Sequence, residues 1–119
     1  MTTFAWLIIG HLVGDWLLQS DWMAKGKKRS LFNFAGLIHY TIYAATIISA
    51  LLPTGVRDRP PAFYLMLGVI IFASHWLIDA THLVEGWMRL CRQTNREMIR
   101  LMVDQTLHIL VLVALAASI

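Results

Sequence analysis

TFAWLIIGHLVGDWLLQS, residues 3–20, is apolar between its terminal hydroxyls except at His11, Asp15 and Gln19, which recur every four residues. Residues four apart share one face of an α-helix. A run of this length approaches the roughly 20 apolar residues that cross about 30 Å of hydrocarbon. The stretch therefore reads as a membrane helix with one polar stripe. Three similar runs follow. Phe34 to Leu52 stops at Pro53, where Pro53-Thr54-Gly55 and then Pro60-Pro61 supply turn chemistry. A third helix is expected from about 61 to 89, with Pro61 suited to its first turn. Its roughly 29 residues exceed the bilayer core, so it should tilt or project into water. A fourth is expected over about 96–119, with Asn95 as N-cap.

Composition agrees with lipid as the solvent. The 119 residues are 58% hydrophobic and 14% charged, against about 45–50% and about 25% in soluble domains. Four spans and three loops use nearly the whole chain and leave no room for a soluble domain. The expected fold is all-α: a polytopic membrane protein with a four-transmembrane-helix bundle, one domain over residues 1–119. The lone Cys91 excludes an internal disulfide and a Cys-rich zinc module. The first run has no basic segment before it and no clear small-residue cleavage site after it, so it is read as a retained span and not a signal peptide.

The net charge of +3 arises in short segments. Lys25, Lys27, Lys28 and Arg29 lie in the first loop, Arg89, Arg92, Arg96 and Arg100 flank the third, and the second holds only Arg57 and Arg59. Positive loops stay in the cytoplasm, so loops one and three are expected there and both termini outside. Such clusters report orientation and contact with anionic lipid head groups, and nucleic-acid binding is not invoked. Trp22 and Trp87 suit the cytoplasmic interfacial belt.

An Asp deep in a bilayer costs at least about 2.5–3.5 kcal/mol, so ionisable side chains there face a bundle interior, pair, and mark function. Besides His11, Asp15 and Gln19, helix two carries His39 with Tyr43 one turn on, helix three carries His75, Asp79 and His82, and helix four carries Asp104 and His108. With alternating helix directions, Asp15, His39, Asp79 and Asp104 each lie roughly five to eight residues from the cytoplasmic ends, ~8–12 Å deep. Four helices thus converge on one layer. Clustered carboxylates and imidazoles repel and are poorly solvated unless a cation joins them. A divalent metal supplies one: imidazole with carboxylate suits zinc, manganese, iron or nickel, and bundles build such centres from facing helices. The expected ligands are His11, Asp15, His39, His75, Asp79, Asp104 and His108. His82 is placed as acid/base or extra ligand, and Gln19 and Gln105 as groups orienting ligands or substrate. Against this stands helix gluing, in which each His or Asp forms its own local hydrogen bond. Gly10, Gly14 and Gly36 read as close-packing positions.

Three functions follow: a metal-dependent hydrolase of a lipid-borne phosphate or ester, an ion or proton conduit, or a structural, partner-binding or self-associating membrane protein. A conduit needs polar residues through the full thickness. Thr46 to Leu52 and Ala62 to Phe72 contain no Asp, Glu, His, Lys or Arg, which favours a one-sided site.

The segment His11-Leu12-Val13-Gly14-Asp15-Trp16-Leu17-Leu18-Gln19, with Lys25 beyond it, resembles the signature of small bacterial membrane proteins catalogued as domain of unknown function 3307. Leu37-Ile38-His39-Tyr40-Thr41, His75-Trp76-Leu77-Ile78-Asp79 and Asp104-Gln105-Thr106-Leu107-His108 are similar to that family's remaining polar blocks. The resemblance spans essentially the whole chain and implies a multi-pass protein of the bacterial inner (plasma) membrane. More loosely, the architecture is similar to bacterial membrane-bound metal-dependent hydrolases, at the level of fold alone.

Reporter fusions test the charge reading: fusions in loops one and three should report cytoplasm, and a fusion at Ile119 should report the outside. A cytoplasmic C-terminus contradicts four crossings.

Overall fold

The computed structural model describes residues 1–93 and 96–119, and these form six α-helices with no strand among them. Asn95, expected as an N-cap, lies outside the described residues. Three helices begin where a side chain can take a free backbone N–H of the first turn. Thr2 Oγ1 accepts from Ala5 N–H at 3.2 Å and opens α1, Thr3–Leu12. Ser20 Oγ accepts from Met23 N–H at 3.3 Å and opens α2, Asp21–Gly26. Asn33 Oδ1 accepts from Gly36 N–H at 2.8 Å and opens α3, Phe34–Leu51. Next comes α4, Pro61–Ala80, with proline at its start, where the missing N–H has no helical partner to lose. The last two are α5, Leu83–Leu90, and α6, Glu97–Ser118.

Two expectations need correction. The first helix does not reach Ser20: α1 widens into a π turn over Val13–Leu17, closed by Leu18 N–H donating to the Val13 carbonyl at 2.9 Å, and stops there. Ser20 is used to start α2 inside the stretch expected to be loop. Nor is the third helix continuous over 61–89. It breaks at Thr81, whose backbone is extended and whose hydroxyl donates back to the Leu77 carbonyl, a local bond that competes with helix continuation. The separate α5 is amphipathic. Val84 and Met88 are buried against Ile99, Val103 and Leu107 of α6, while Leu83, Trp87 and Leu90 are exposed.

Four helical elements form a ring in which α1 packs on α3 and α6, and α4 packs on α3 and α6. Neighbours run antiparallel. Gly10 lies against Thr46 and Ala50 while Gly14 lies against Tyr43, and His39 meets His75 while Tyr40 meets Phe72 one turn on. One half of the interior is apolar, with Leu7, Ile47, Leu51, Leu67 and Leu112 at its centre. The other half holds the polar residues. It lies where α1 and α4 end and α3 and α6 begin.

Helices α3, α4 and α6, of 18, 20 and 22 residues, are long and apolar enough to cross a membrane. Their outward faces expose Leu65, Val69, Leu110 and Val113, a surface suited to lipid and not to water. The first apolar segment, Thr3–Leu17, is shorter. At 1.5 Å per residue it reaches only ~22 Å.

Close approach of α1 and α3 depends on glycine. A Cβ at Gly10 would lie 2.8 Å from Ala50 Cβ and 3.2 Å from the Thr46 carbonyl oxygen, and one at Gly14 would collide with Thr46 Oγ1. Overpacking of this kind costs about 1–3 kcal/mol. Gly10→Val should therefore lower the melting temperature in detergent, while Gly55→Val, where a Cβ meets nothing within 4 Å, should leave it nearly unchanged. Equal effects would remove the close-packing role.

Candidate metal centre

The polar half is assembled by helix direction and by one irregularity. His39 sits in the second turn of α3, Asp79 in the last turn of α4 with His75 one turn before it, and Asp104 and His108 in the second and third turns of α6. Antiparallel alternation brings these turns to one level. Asp15 joins them from the π turn, a feature that commonly marks functional sites, and is 4% exposed.

Four donor atoms converge. His39 Nε2 and His75 Nε2 are 2.9 Å apart. Asp15 Oδ1 lies 3.3 Å from the former and 3.4 Å from the latter, and Asp79 Oδ2 lies 3.5 Å and 3.2 Å from the same two atoms. A tetrahedral zinc site with bonds of ~2.0–2.1 Å places its donors ~3.3–3.4 Å apart. Four of the five separations, 3.2–3.5 Å, lie within about 0.1 Å of that spacing, and the two imidazole nitrogens at 2.9 Å are closer than it. Ring stacking holds the imidazoles in place: Tyr43 stacks on His75 with centroids 3.8 Å apart, and Tyr40 meets His39 edge-on at 5.6 Å. Among the described residues neither Nδ1 atom has a hydrogen-bond partner, so packing alone points the Nε2 atoms inward.

Lys27 enters the cluster from just beyond α2. Its Nζ donates to Asp79 Oδ2 at 2.5 Å and lies 4.0 Å from Asp15 Oδ1. The side chain is buried, whereas Lys25 and Lys28 are exposed. The expectation that Lys25 to Arg29 together face lipid head groups is therefore corrected for Lys27. Sequence reasoning missed this residue because four basic residues within five positions look alike until packing selects one. The available signal was the surplus of carboxylates over cations in the converging layer. Even with Lys27, the three carboxylates Asp15, Asp79 and Asp104 face one ammonium.

The remaining expected residues fall around this core. His11 is buried but not among the converging donors. Gln105 Nε2 donates to Asp15 Oδ2 and Asp104 Oδ2, both at 3.2 Å. Its Oε1 is then left to accept from His11 Nε2–H at 2.8 Å, and His11 Nδ1 accepts from the Tyr43 hydroxyl at 2.9 Å. His11 thus supports Asp15 through Gln105, and its ring nitrogens are both engaged. Asp104 and His108 approach Asp15 from the opposite side, each offering an atom within 4.8 Å of the others. Gln19 is half-buried with Oε1 unpartnered among the described residues. His82 is exposed at the start of α5. It borders a cleft of about 400 Å³ between the α4–α5 junction and the start of α6. Asp79 and Asp104 also line that cleft, with Lys28 and the paired Glu85 and Arg100.

The chain belongs to the family described as "Protein of unknown function (DUF3307)", whose model matches residues 3–119. No curated protein and no solved structure matches it.

Removing one partner of a buried ion pair costs about 3–5 kcal/mol, because the other charge is left unpaired. Lys27→Met should accordingly lower thermal stability in detergent far more than Lys25→Met. Equal melting temperatures would place Lys27 outside the cluster.

Proposed function

We propose that this DUF3307 protein crosses the membrane four times and binds a divalent metal ion between Asp15, His39, His75 and Asp79, as a hydrolase of a lipid-borne phosphate or ester at the cytoplasmic leaflet. One observation carries the metal reading: donor atoms from two helices, α3 and α4, and the π turn meet within 2.9–3.5 Å of one another, close to tetrahedral spacing. The glue reading needs separate, locally satisfied pairs. Here Nε2 of His39 and Nε2 of His75 each face both carboxylates and the other ring. Zinc, manganese and iron suit this donor set.

Hydrolysis is supported by access and placement. A divalent ion held there would lower the pKa of a coordinated water to about 7 and polarise a scissile group. The cleft reaches Asp79 from the loop-one side, and His82 at its border is placed to exchange a proton with substrate or leaving group. Gln105 fixes Asp15 and Asp104, and Gln19, its buried Oε1 unpartnered among the described residues, is assigned an orienting role. At that end α5 exposes Leu83, Trp87 and Leu90, the pattern of a helix lying in the interface. Lys28 and Arg29 remain exposed to meet anionic head groups.

The same geometry gives little to a conduit, since the opposite half is filled by Leu7, Ile47, Leu51 and Leu112. The short first segment crosses if the bilayer thins locally or neighbours shield it, each at modest cost. Both termini lie outside on this reading, as the basic loops require.

Asp79→Asn keeps shape while removing the charge and a metal-facing oxygen. Protein purified in detergent should hold at least one equivalent of metal by plasma mass spectrometry, and Asp79→Asn should hold almost none at unchanged helicity by circular dichroism. Equal metal content, or none in the parent, defeats the reading.

A further inference from the structure

We propose a second divalent-cation site beside the first, sharing Asp15 and Asp79 and completed by Asp104 and His108. It rests on the metal reading above, because the two sites use the same carboxylates. Each shared aspartate offers one oxygen to the first site, Oδ1 of Asp15 and Oδ2 of Asp79, which leaves the other for a neighbour. Asp79 Oδ1 lies 3.5 Å from His108 Nε2. Asp15, Asp104 and His108 each present a donor within 4.8 Å of the others. Gln105 Nε2 also contacts Asp15 Oδ2 and Asp104 Oδ2. A carboxylate oxygen carries two lone pairs, so the amide and a cation can share it.

His108 points to a cation independently of the acidic cluster. Its Nδ1–H donates to the Asp104 carbonyl at 2.8 Å, and a carbonyl can only accept. In the neutral ring, Nε2 must therefore present a lone pair. That atom is buried, in a residue 2% exposed, and has no hydrogen-bond partner among the described residues. It faces a carboxylate oxygen, acceptor against acceptor. An unsatisfied buried acceptor of this kind is costly, and a cation between the two removes the conflict. The three carboxylates exceed Lys27 by two negative charges, so one ion neutralises the cluster and a second requires an anion beside it, a hydroxide or an anionic group of the substrate. Paired ions bridged by carboxylates act as a clamp on attacking and leaving oxygens.

The test uses full-length, chelator-stripped protein in detergent, titrated with manganese(II). The parent should bind two ions per chain by plasma mass spectrometry and show the electron paramagnetic resonance spectrum of a coupled pair. His108→Gln and Asp104→Asn should each fall to one ion, with the six-line spectrum of an isolated manganese. Asp104 is only half-buried, so its variant remains informative if His108→Gln fails to fold. One ion in the parent and in both variants would overturn the second site and leave the first intact. Two ions retained in both variants would overturn the assigned ligands. None in the parent would overturn both readings.

Discussion

Asp15 and Asp79 are buried side by side against His39 and His75, and the rest of the molecule is arranged around keeping that charge neutral in a medium that does not solvate it. Insertion of even one such carboxylate is costly. Lys27 answers part of the demand, with Nζ 2.5 Å from Asp79 Oδ2. It cannot answer all of it, because Asp15 and Asp104 remain. Two imidazoles aimed at the same carboxylate oxygens leave a centre that protons on nitrogen satisfy poorly and a divalent ion satisfies well.

The irregular parts of the backbone serve this centre. A π turn at Val13–Leu17 sets Asp15 into the interior at the point where a regular helix would continue toward Gln19. The α2 turn brings Lys27 back under the bundle. The break at Thr81 ends α4 two residues after Asp79 and opens the cleft, while α5 turns along the surface with its apolar face against α6. Glycine contacts between α1 and α3 bring Asp15 close to His39. Apart from the Gly10 contact with Ala50 and Ile47, these devices lie in the polar half, and the apolar half is plain helix packing.

Much of this was legible in the sequence, and for stated reasons. Four-residue spacing put His11 with Asp15, His75 with Asp79, and Asp104 with His108 on common faces, because a helical period is local and needs no knowledge of packing. Counting from proline and polar boundaries brought Asp15, His39, Asp79 and Asp104 to one level. What local pattern does not carry is which member of a face reaches the centre. His11 has the same spacing as a ligand, yet Gln105 and Tyr43 engage both its nitrogens. Lys27 looks like any loop lysine until α2 folds under it. The break at Thr81 was invisible because no proline or glycine marks it; a hydroxyl bonding back to Leu77 does so instead.

X-ray absorption at the zinc edge, on detergent-solubilised protein loaded with one equivalent of zinc, tests the centre most directly. Ligation by His39 and His75 requires nitrogen and oxygen neighbours at ~2.0–2.2 Å, together with the outer-shell scattering of about two imidazole rings, lost in the His39→Ala and His75→Ala double variant. A first shell of oxygen alone, with no imidazole scattering in the parent protein, would contradict a metal held by this cluster.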